Sequence, residues 1–262
     1  MAAVTTASAK KVLVLYYSET GTTKAVAEEL QKQLGANIEA IEAVEPYSGN
    51  FQETIERSKR ERENGETPAL KPLKSRLEDY DIIFLGYPIW FGTYAMPIAT
   101  LVKEHDFAKK RIVPFCTFGS GGLNTSTEAL KQALPKAKIM KGYGIRQARI
   151  AKVEKELDRF LKENKYKKGK VKKLPAYSKW QALTLADRII FDLACSNYQF
   201  PLGTPRSVSR RTTPDGTDYQ FTVTGQGMNG ENTISIIYVT IGKEKDAKPE
   251  FTEVVREMLV IM

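Results

Sequence analysis

Residues 11–23 read KVLVLYYSETGTT, and this stretch decides the fold. KVLVLYY is a short apolar run of the kind a buried parallel strand shows. The run stops at Ser18-Glu19-Thr20-Gly21-Thr22-Thr23. From Thr22 a helix is expected through Leu34, with Ala25, Val26, Leu30 and Leu34 on one face and Gly35 as its stop. The turn between strand and helix is an anion site on physical grounds. A helix N-terminus presents unpaired N–H groups and the positive end of its dipole, and hydroxyls at 18, 20, 22 and 23 add donors. The same residues also read as plain helix caps, since Ser and Thr are what caps use. The spacing is neither GxxxxGK[ST] nor GxGxxG, which argues against a nucleoside triphosphate or dinucleotide held in those ways.

Outward from this stretch, apolar runs alternate with amphipathic helical stretches over the first 164 residues, the pattern of an α/β fold with a parallel sheet. Further strands are expected at 38–43, 81–86, 111–117 and 138–143, and further helices at 96–104 and 126–134. Residues 45–74 form an insertion with a charged helix, 51–64, ending at Gly65. Residues 82–102 carry no charge over a length that could cross a bilayer, but Gly86, Pro88, Gly92 and Pro97 break it, so no membrane span is expected.

The formal charge of +9 is unevenly placed. Residues 1–149 are net +4, residues 174–262 net −1, and residues 150–173, IAKVEKELDRFLKENKYKKGKVKK, net +6. There Ile150, Val153, Leu157, Phe160 and Leu161 have helical spacing, and a lysine run follows. Without interleaved aromatics beyond Tyr166, the run reads as a solvated linker and not as a nucleic-acid site. Lys167, Lys168, Lys170, Lys172 and Lys173 are the residues a polyanion would meet. A boundary at 169–175 divides the chain into domains 1–170 and 171–262. The second is expected to be a small α+β module. Its predicted parts are a helix at 178–194, strands at 206–213, 219–225 and 233–241, turns at Pro214-Asp215-Gly216 and at 227–230, and a final helix at 250–262 with Phe251, Val254, Val255, Met258 and Leu259 on one face.

The 42% hydrophobic and 27% charged content is that of a globular chain, and it excludes wholesale disorder. Two cysteines without CxxC spacing exclude a disulfide framework or a cysteine metal cluster. With no export signal read at the N-terminus, a reducing cytoplasm is expected. Cys116 falls in an apolar strand and Cys195 near a helix end, and both read as filler. His105, the only histidine, follows Glu104 at a helix end and has no partner motif.

The strand at 81–86 leads into Tyr87-Pro88-Ile89-Trp90-Phe91-Gly92-Thr93, and that at 111–117 into Thr117-Phe118-Gly119-Ser120-Gly121-Gly122. In an open α/β sheet, ligands bind outside the carboxyl ends of the strands at the topological switch point, so these loops and SETGTT meet around one crevice. Trp90, Phe91 and Phe118 offer aromatic faces, and the glycines allow close backbone approach. A planar heteroaromatic carrying one phosphate suits such a crevice. The aromatics read equally as core or partner-contact residues.

SETGTT, YPIWFGTYAMP and CTFGSGG, in that order after strands, resemble the flavodoxin-like FMN proteins, in particular the small flavodoxin-4 type family. PYSGNFQETIERSKRERENGETPALK, DYDIIFLG and HDFAKKRIVPFCTFGSGGLNTSTEALKQALP extend the resemblance over residues 11–164. It implies a five-stranded parallel sheet of order 2-1-3-4-5 with helices on both faces and FMN at the switch point. It implies that Ser18, Thr20, Gly21, Thr22 and Thr23 hold the phosphate, although the family often has Asn where Thr22 stands. Pro88, Ile89, Trp90, Phe91 and Gly92 frame the isoalloxazine, and Phe118, Gly119, Ser120, Gly121 and Gly122, after Thr117, contact its pyrimidine side. In this fold type a loop amide can turn when the flavin is reduced, and Gly92 permits both orientations.

The resemblance implies an oxidoreductase or electron-transfer protein that uses a redox donor and a quinone-like or protein acceptor. A one-electron carrier and a nicotinamide-dependent quinone reductase both stay open, and the slightly basic first 149 residues weigh against a simple carrier. No metal site and no catalytic side chain are expected, because the flavin carries the electrons. The rival reading is a flavin-free scaffold that acts through residues 171–262, for which no family resemblance is read. These residues would cover a sheet edge, shape access to the flavin, or join two copies as a homodimer.

Overall fold

The computed structural model describes residues 10–200, 202–226 and 232–257. The chain divides into two units, one ending at Lys170 and one beginning at Val171.

The first unit runs β1 (Val12–Tyr16), α1 (Thr22–Leu34), β2 (Asn37–Ala40), α2 (Phe51–Asn64), β3 (Ile82–Trp90), β4 (Thr93–Tyr94), α3 (Met96–Glu104), β5 (Arg111–Phe118), α4 (Leu123–Ala133), β6 (Lys138–Ile139), β7 (Tyr143–Arg146) and α5 (Val153–Glu163). β2, β1, β3 and β5 are parallel neighbours in that order, and β6 and β7 follow one another along the far edge of β5. This is the expected 2-1-3-4-5 order, with the fifth strand split in two. The gap, residues 140–142, lies beside Val113 and Pro114. A proline has no N–H for a ladder, and a Cβ on Gly142 would stand 2.9 Å from the Pro114 carbonyl oxygen.

Alternation along the strands builds a core on each face of the sheet. Leu13, Leu15, Ile83, Leu85, Ile112 and Cys116 pack with Ile98 and Leu101 of α3 and Leu130 of α4. Val14, Tyr16, Phe84, Val113 and Phe115 pack with Val26 and Leu30 of α1 and Leu157, Phe160 and Leu161 of α5. The uncharged stretch 82–102 resolves into β3, a hairpin to β4 and the start of α3. Among the described residues, no helix is long and apolar enough to cross a membrane. α4 begins three residues earlier than its apolar spacing predicts, directly after Gly122.

The second unit holds β8 (Gln181–Ala182), α6 (Leu185–Cys195), β9 (Thr204–Thr213), β10 (Gly216–Gln226), β11 (Asn232–Gly242) and β12 (Glu250–Glu257), in an antiparallel sheet of order β12-β11-β10-β9-β8. Phe191 of α6 lies over Val208, Phe221, Val223, Ile237, Val239, Phe251 and Val254. The Pro214-Asp215 turn joins Thr213 to its partner Gly216, and the expected turn at 227–230 lies outside the described residues.

Two expectations are corrected here. The helix expected over 178–194 begins only at Leu185, where Thr184 and Asp187 form a capping box. The residues before it are extended, and the Ser178 N–H donates to the Arg210 carbonyl in β9. The final helix is instead strand β12 as far as Glu257, and residues 258–262 lie outside the described residues. The reason is a bulge. Val239 pairs with Phe251 and Ile237 with Val254, with a register shift between them, so one extra residue sets two core-facing side chains three apart. Spacing of three is what a helix shows, and a β-bulge imitates it.

Candidate functional site

β1, β3 and β5 deliver three loops to the carboxyl edge of the sheet, and hydrogen bonds tie them together. The Tyr17 N–H donates to the Gly86 carbonyl at 2.9 Å. The hydroxyls of Thr23 and Thr117 lie 2.7 Å apart. A Cβ on Gly122 would meet Ile89 at 2.7 Å, so the third loop lies directly against the second.

In the first loop Gly21, at φ 85°, precedes α1 as its N-cap and, being a glycine, contributes no capping side chain. No acidic residue occupies the first turn. The Ser18 hydroxyl accepts from the Lys24 N–H at 3.1 Å, and the hydroxyls of Thr20 and Thr22 stand 3.3 Å apart in an exposed pair. Thr23 differs from the other three hydroxyl residues. Its side chain is buried and bonded to Thr117, so only its backbone N–H faces the turn as a donor. The result is a helix start whose dipole and N–H groups, apart from that of Lys24, are open to an anion, with Ser18, Thr20 and Thr22 at its rim.

The second loop is a two-residue hairpin. Ile89 pairs with Tyr94 and Trp90 with Thr93, which leaves Phe91 at φ 49° and Gly92 at φ 76° in the turn. Positive φ at both central residues is the type I′ geometry that suits a twisted hairpin. Glycine takes it freely, whereas phenylalanine holds it under strain of about 1–3 kcal/mol. The tip is gripped from both sides. The Thr125 hydroxyl donates to the Gly92 carbonyl at 2.5 Å, and Arg62 of α2 donates to the Phe91 carbonyl at 3.3 Å with its guanidinium 5.9 Å from the ring. Phe91 is 45% exposed. Trp90 is half-buried, edge-on to Tyr17 at 5.8 Å and to Tyr47 at 5.0 Å.

In the third loop Phe118 turns inward and is buried against Gly144, so its ring is core and its backbone is what borders the loop. Gly119, Ser120 and Gly121 continue to Gly122, and Arg146 donates to the Gly119 carbonyl at 2.7 Å. Pro88 pairs with Thr117 at the floor.

Several residues that support these loops were not singled out from sequence. Glu19 accepts from the Tyr17 hydroxyl and from the Gly49 N–H at 3.0 Å, which ties the first loop to the insertion. Burial, aided by the Glu19 carboxylate, pushes the Tyr17 phenol well above its ordinary range. Tyr47 donates to the buried Glu61 and is raised in the same way. Arg57 binds Glu61 at 2.8 Å and stacks 4.1 Å above the Tyr47 ring. The i,i+4 spacing of Arg57 and Glu61 was a legible signal, but which way the helix faces was not. His105 closes α3, away from these loops, and Cys116 is buried in β5. Among the described residues no cluster could hold a metal ion. A groove of about 420 Å³ between α1 and α5 is lined by paired charges, Lys32 with Glu154 and Lys167 with Asp158, and has no aromatic wall. The loops therefore join an anion seat to aromatic and backbone surfaces that suit a flat ring.

The family model that matches residues 11–171 is that of flavodoxin, of the flavodoxin-4 type. A provisionally named flavoprotein from Bacteroides eggerthii is 30% identical with a TM-score of 0.50, over 57% of this chain and 97% of its own. Another from Bacteroides uniformis is 28% identical with a TM-score of 0.51, over 57% and 98%. A flavoprotein in complex with FMN from Lactobacillus acidophilus is 23% identical with a TM-score of 0.48, over 56% and 98%. No curated protein matches the chain.

Proposed function

The chain belongs to the flavodoxin family, and from that premise we propose that its cleft binds one FMN and passes electrons through it, from a reduced donor to a small quinone-like acceptor or a protein partner. The observation that carries this reading is the start of α1. Its N-cap is a glycine, its first turn holds no acidic residue, and it lies at the switch point, to which the loop carrying the exposed Phe91 is also delivered.

The residues present fit the group. A Cβ built on Gly21 would have no atom within 4 Å, so the approach to the helix start is open. Ser18, Thr20 and Thr22 would hold the phosphate by hydroxyls, and Gly21, Thr22 and Thr23 by backbone N–H groups. Pro88, Ile89, Trp90, Phe91 and Gly92 would frame the ring system, with backbone from Thr117 to Gly122 along its polar edge. FMN supplies the one-electron and hydride chemistry when bound. The chain's part is to seat the phosphate, orient and shield the ring, and hold the Gly92 carbonyl through Thr125. No titratable side chain is required for proton transfer.

The slightly basic residues 1–149 favour a small acceptor over an acidic carrier's mode of partner binding. Cys116 and Cys195 are not joined in a disulfide, which suits a reducing cytoplasm. The first test is the absorption spectrum of the purified chain, followed by heat release and identification of the bound cofactor. FMN at one per chain supports the reading. A colourless chain that takes up no added FMN overturns it and favours the flavin-free scaffold. Rates with a reduced nicotinamide plus quinone, against rates with a ferredoxin reductase as donor, then separate reductase from carrier.

A further inference from the structure

Helix α6 of the second unit leaves a row of aliphatic side chains in water. Leu185, Ile189 and Leu193 recur every fourth residue and are 76%, 50% and 57% exposed. On the opposite side Asp187 and Phe191 are buried against the sheet. Every fourth residue of a helix lies on one face, so the three form a continuous stripe. Arg188 and Asp192, both exposed, lie together along one flank of it.

We propose that this stripe joins two copies of the chain, α6 packing antiparallel on α6 about a two-fold axis through Ile189. The residue pattern is self-complementary in the way a two-fold contact requires, where residue i meets j and j meets i. With Ile189 on the axis, Leu185 of one copy faces Leu193 of the other, and Ile189 faces Ile189. In an antiparallel pair the same flanks meet, so Arg188 of each copy comes beside Asp192 of the other, and two opposite-charge pairs close the seam. A parallel pair places those flanks on opposite sides of the seam and forms neither. The exposed face carries one cation and one anion, and this balance gives no attraction to an anionic membrane surface, which calls for a lysine- or arginine-rich helix.

The contact is small. A helix of 11 residues is about 16 Å long and buries less than the roughly 800 Å² per partner of a standard interface. Association is therefore expected to be weak. It involves no residue of the proposed flavin cleft.

The test is sedimentation equilibrium of the full chain across the micromolar range, with circular dichroism as a check of folding. The expected result is a reversible monomer–dimer equilibrium that Ile189→Glu abolishes, since that side chain is half exposed and contributes little to the core. Arg188→Asp and Asp192→Arg should each weaken association about tenfold, because each reversal spoils both cross pairs. Arg188→Asp combined with Asp192→Arg should restore it. A monomer throughout the range overturns the proposal, as does a dimer whose constant is unchanged in Ile189→Glu. Failure of the combined reversal to restore association overturns the antiparallel arrangement.

Discussion

Replacing Thr23 by valine keeps the side-chain volume and removes one hydroxyl from a buried pair. The Thr23 and Thr117 hydroxyls lie 2.7 Å apart between α1 and β5, and both side chains are buried. The single change leaves the Thr117 hydroxyl without its partner in a dry site, which costs about 1–3 kcal/mol. Thr117→Val does the same from the other side. The double variant removes both polar groups together and should lie within about 1 kcal/mol of the parent, so the cycle shows a coupling energy of at least about 1 kcal/mol. The assay is urea unfolding followed by fluorescence. The chain has two tryptophans, so a Trp180→Phe background leaves Trp90 to report the first unit alone. An FMN titration of the same variants then reads the site. Thr23→Val should change the FMN dissociation constant less than about threefold, because its hydroxyl already serves Thr117. Thr22→Val removes a hydroxyl at the mouth and should weaken binding about tenfold, the effect of about 1.4 kcal/mol from a charge-assisted hydrogen bond. Additive destabilisation in the cycle would refute the buried pair. Equal loss of FMN affinity in Thr23→Val and Thr22→Val would refute the division of labour between the two threonines.

Gly86→Ala should destabilise the first unit by about 3 kcal/mol in urea unfolding, because its Cβ would stand 2.0 Å from the fully buried Phe115 ring; Phe115→Leu in the same chain should recover part of the loss. Asp187→Ala should lower the stability of the second unit by about 2–4 kcal/mol, read from Trp180 in a Trp90→Phe background. It removes the buried acceptor of the Thr184 N–H and hydroxyl and of Arg210 at 3.2 Å. Burial pushes the Glu253 carboxyl up to about 7. An acid raised in the folded state binds its proton more tightly there than when unfolded. Its contribution is thus fully present below the ordinary carboxylate range and is lost as pH rises towards 7. The urea midpoint of the second unit should fall between pH 5 and pH 8, by up to about 3 kcal/mol in stability, and Glu253→Gln should flatten the profile. An unchanged slope in that variant would count against the burial.

The parts of the molecule legible in the sequence are those governed by local spacing. KVLVLYY announced β1 because four consecutive residues, 13–16, pair on both edges and need no polar face. Gly35 and Gly65 announced helix ends because each takes the left-handed conformation there, at φ 61° and 67°. The three glycine- and hydroxyl-rich loops could be placed at one edge because a parallel sheet delivers every strand's carboxyl end to the same side.

Tertiary structure alone decided what depends on a distant partner. Thr23 looked like its neighbours Thr20 and Thr22 until Thr117, 94 residues away, claimed its hydroxyl. Phe118 looked like a ring for the ligand until Gly144 left room for it in the core. Phe91 holds a strained turn that no propensity favours, because Arg62 and Thr125 grip its two ends from α2 and α4. Phe251 and Val254 read as helix because their spacing is three, and only pairing with β11 shows that spacing to be a bulge. Sequence thus determined the period of each segment and the order of segments, which arise from contacts within a few residues. It left open which face turns inward and which polar group is consumed, because packing and hydrogen bonding settle these between residues that the chain holds far apart.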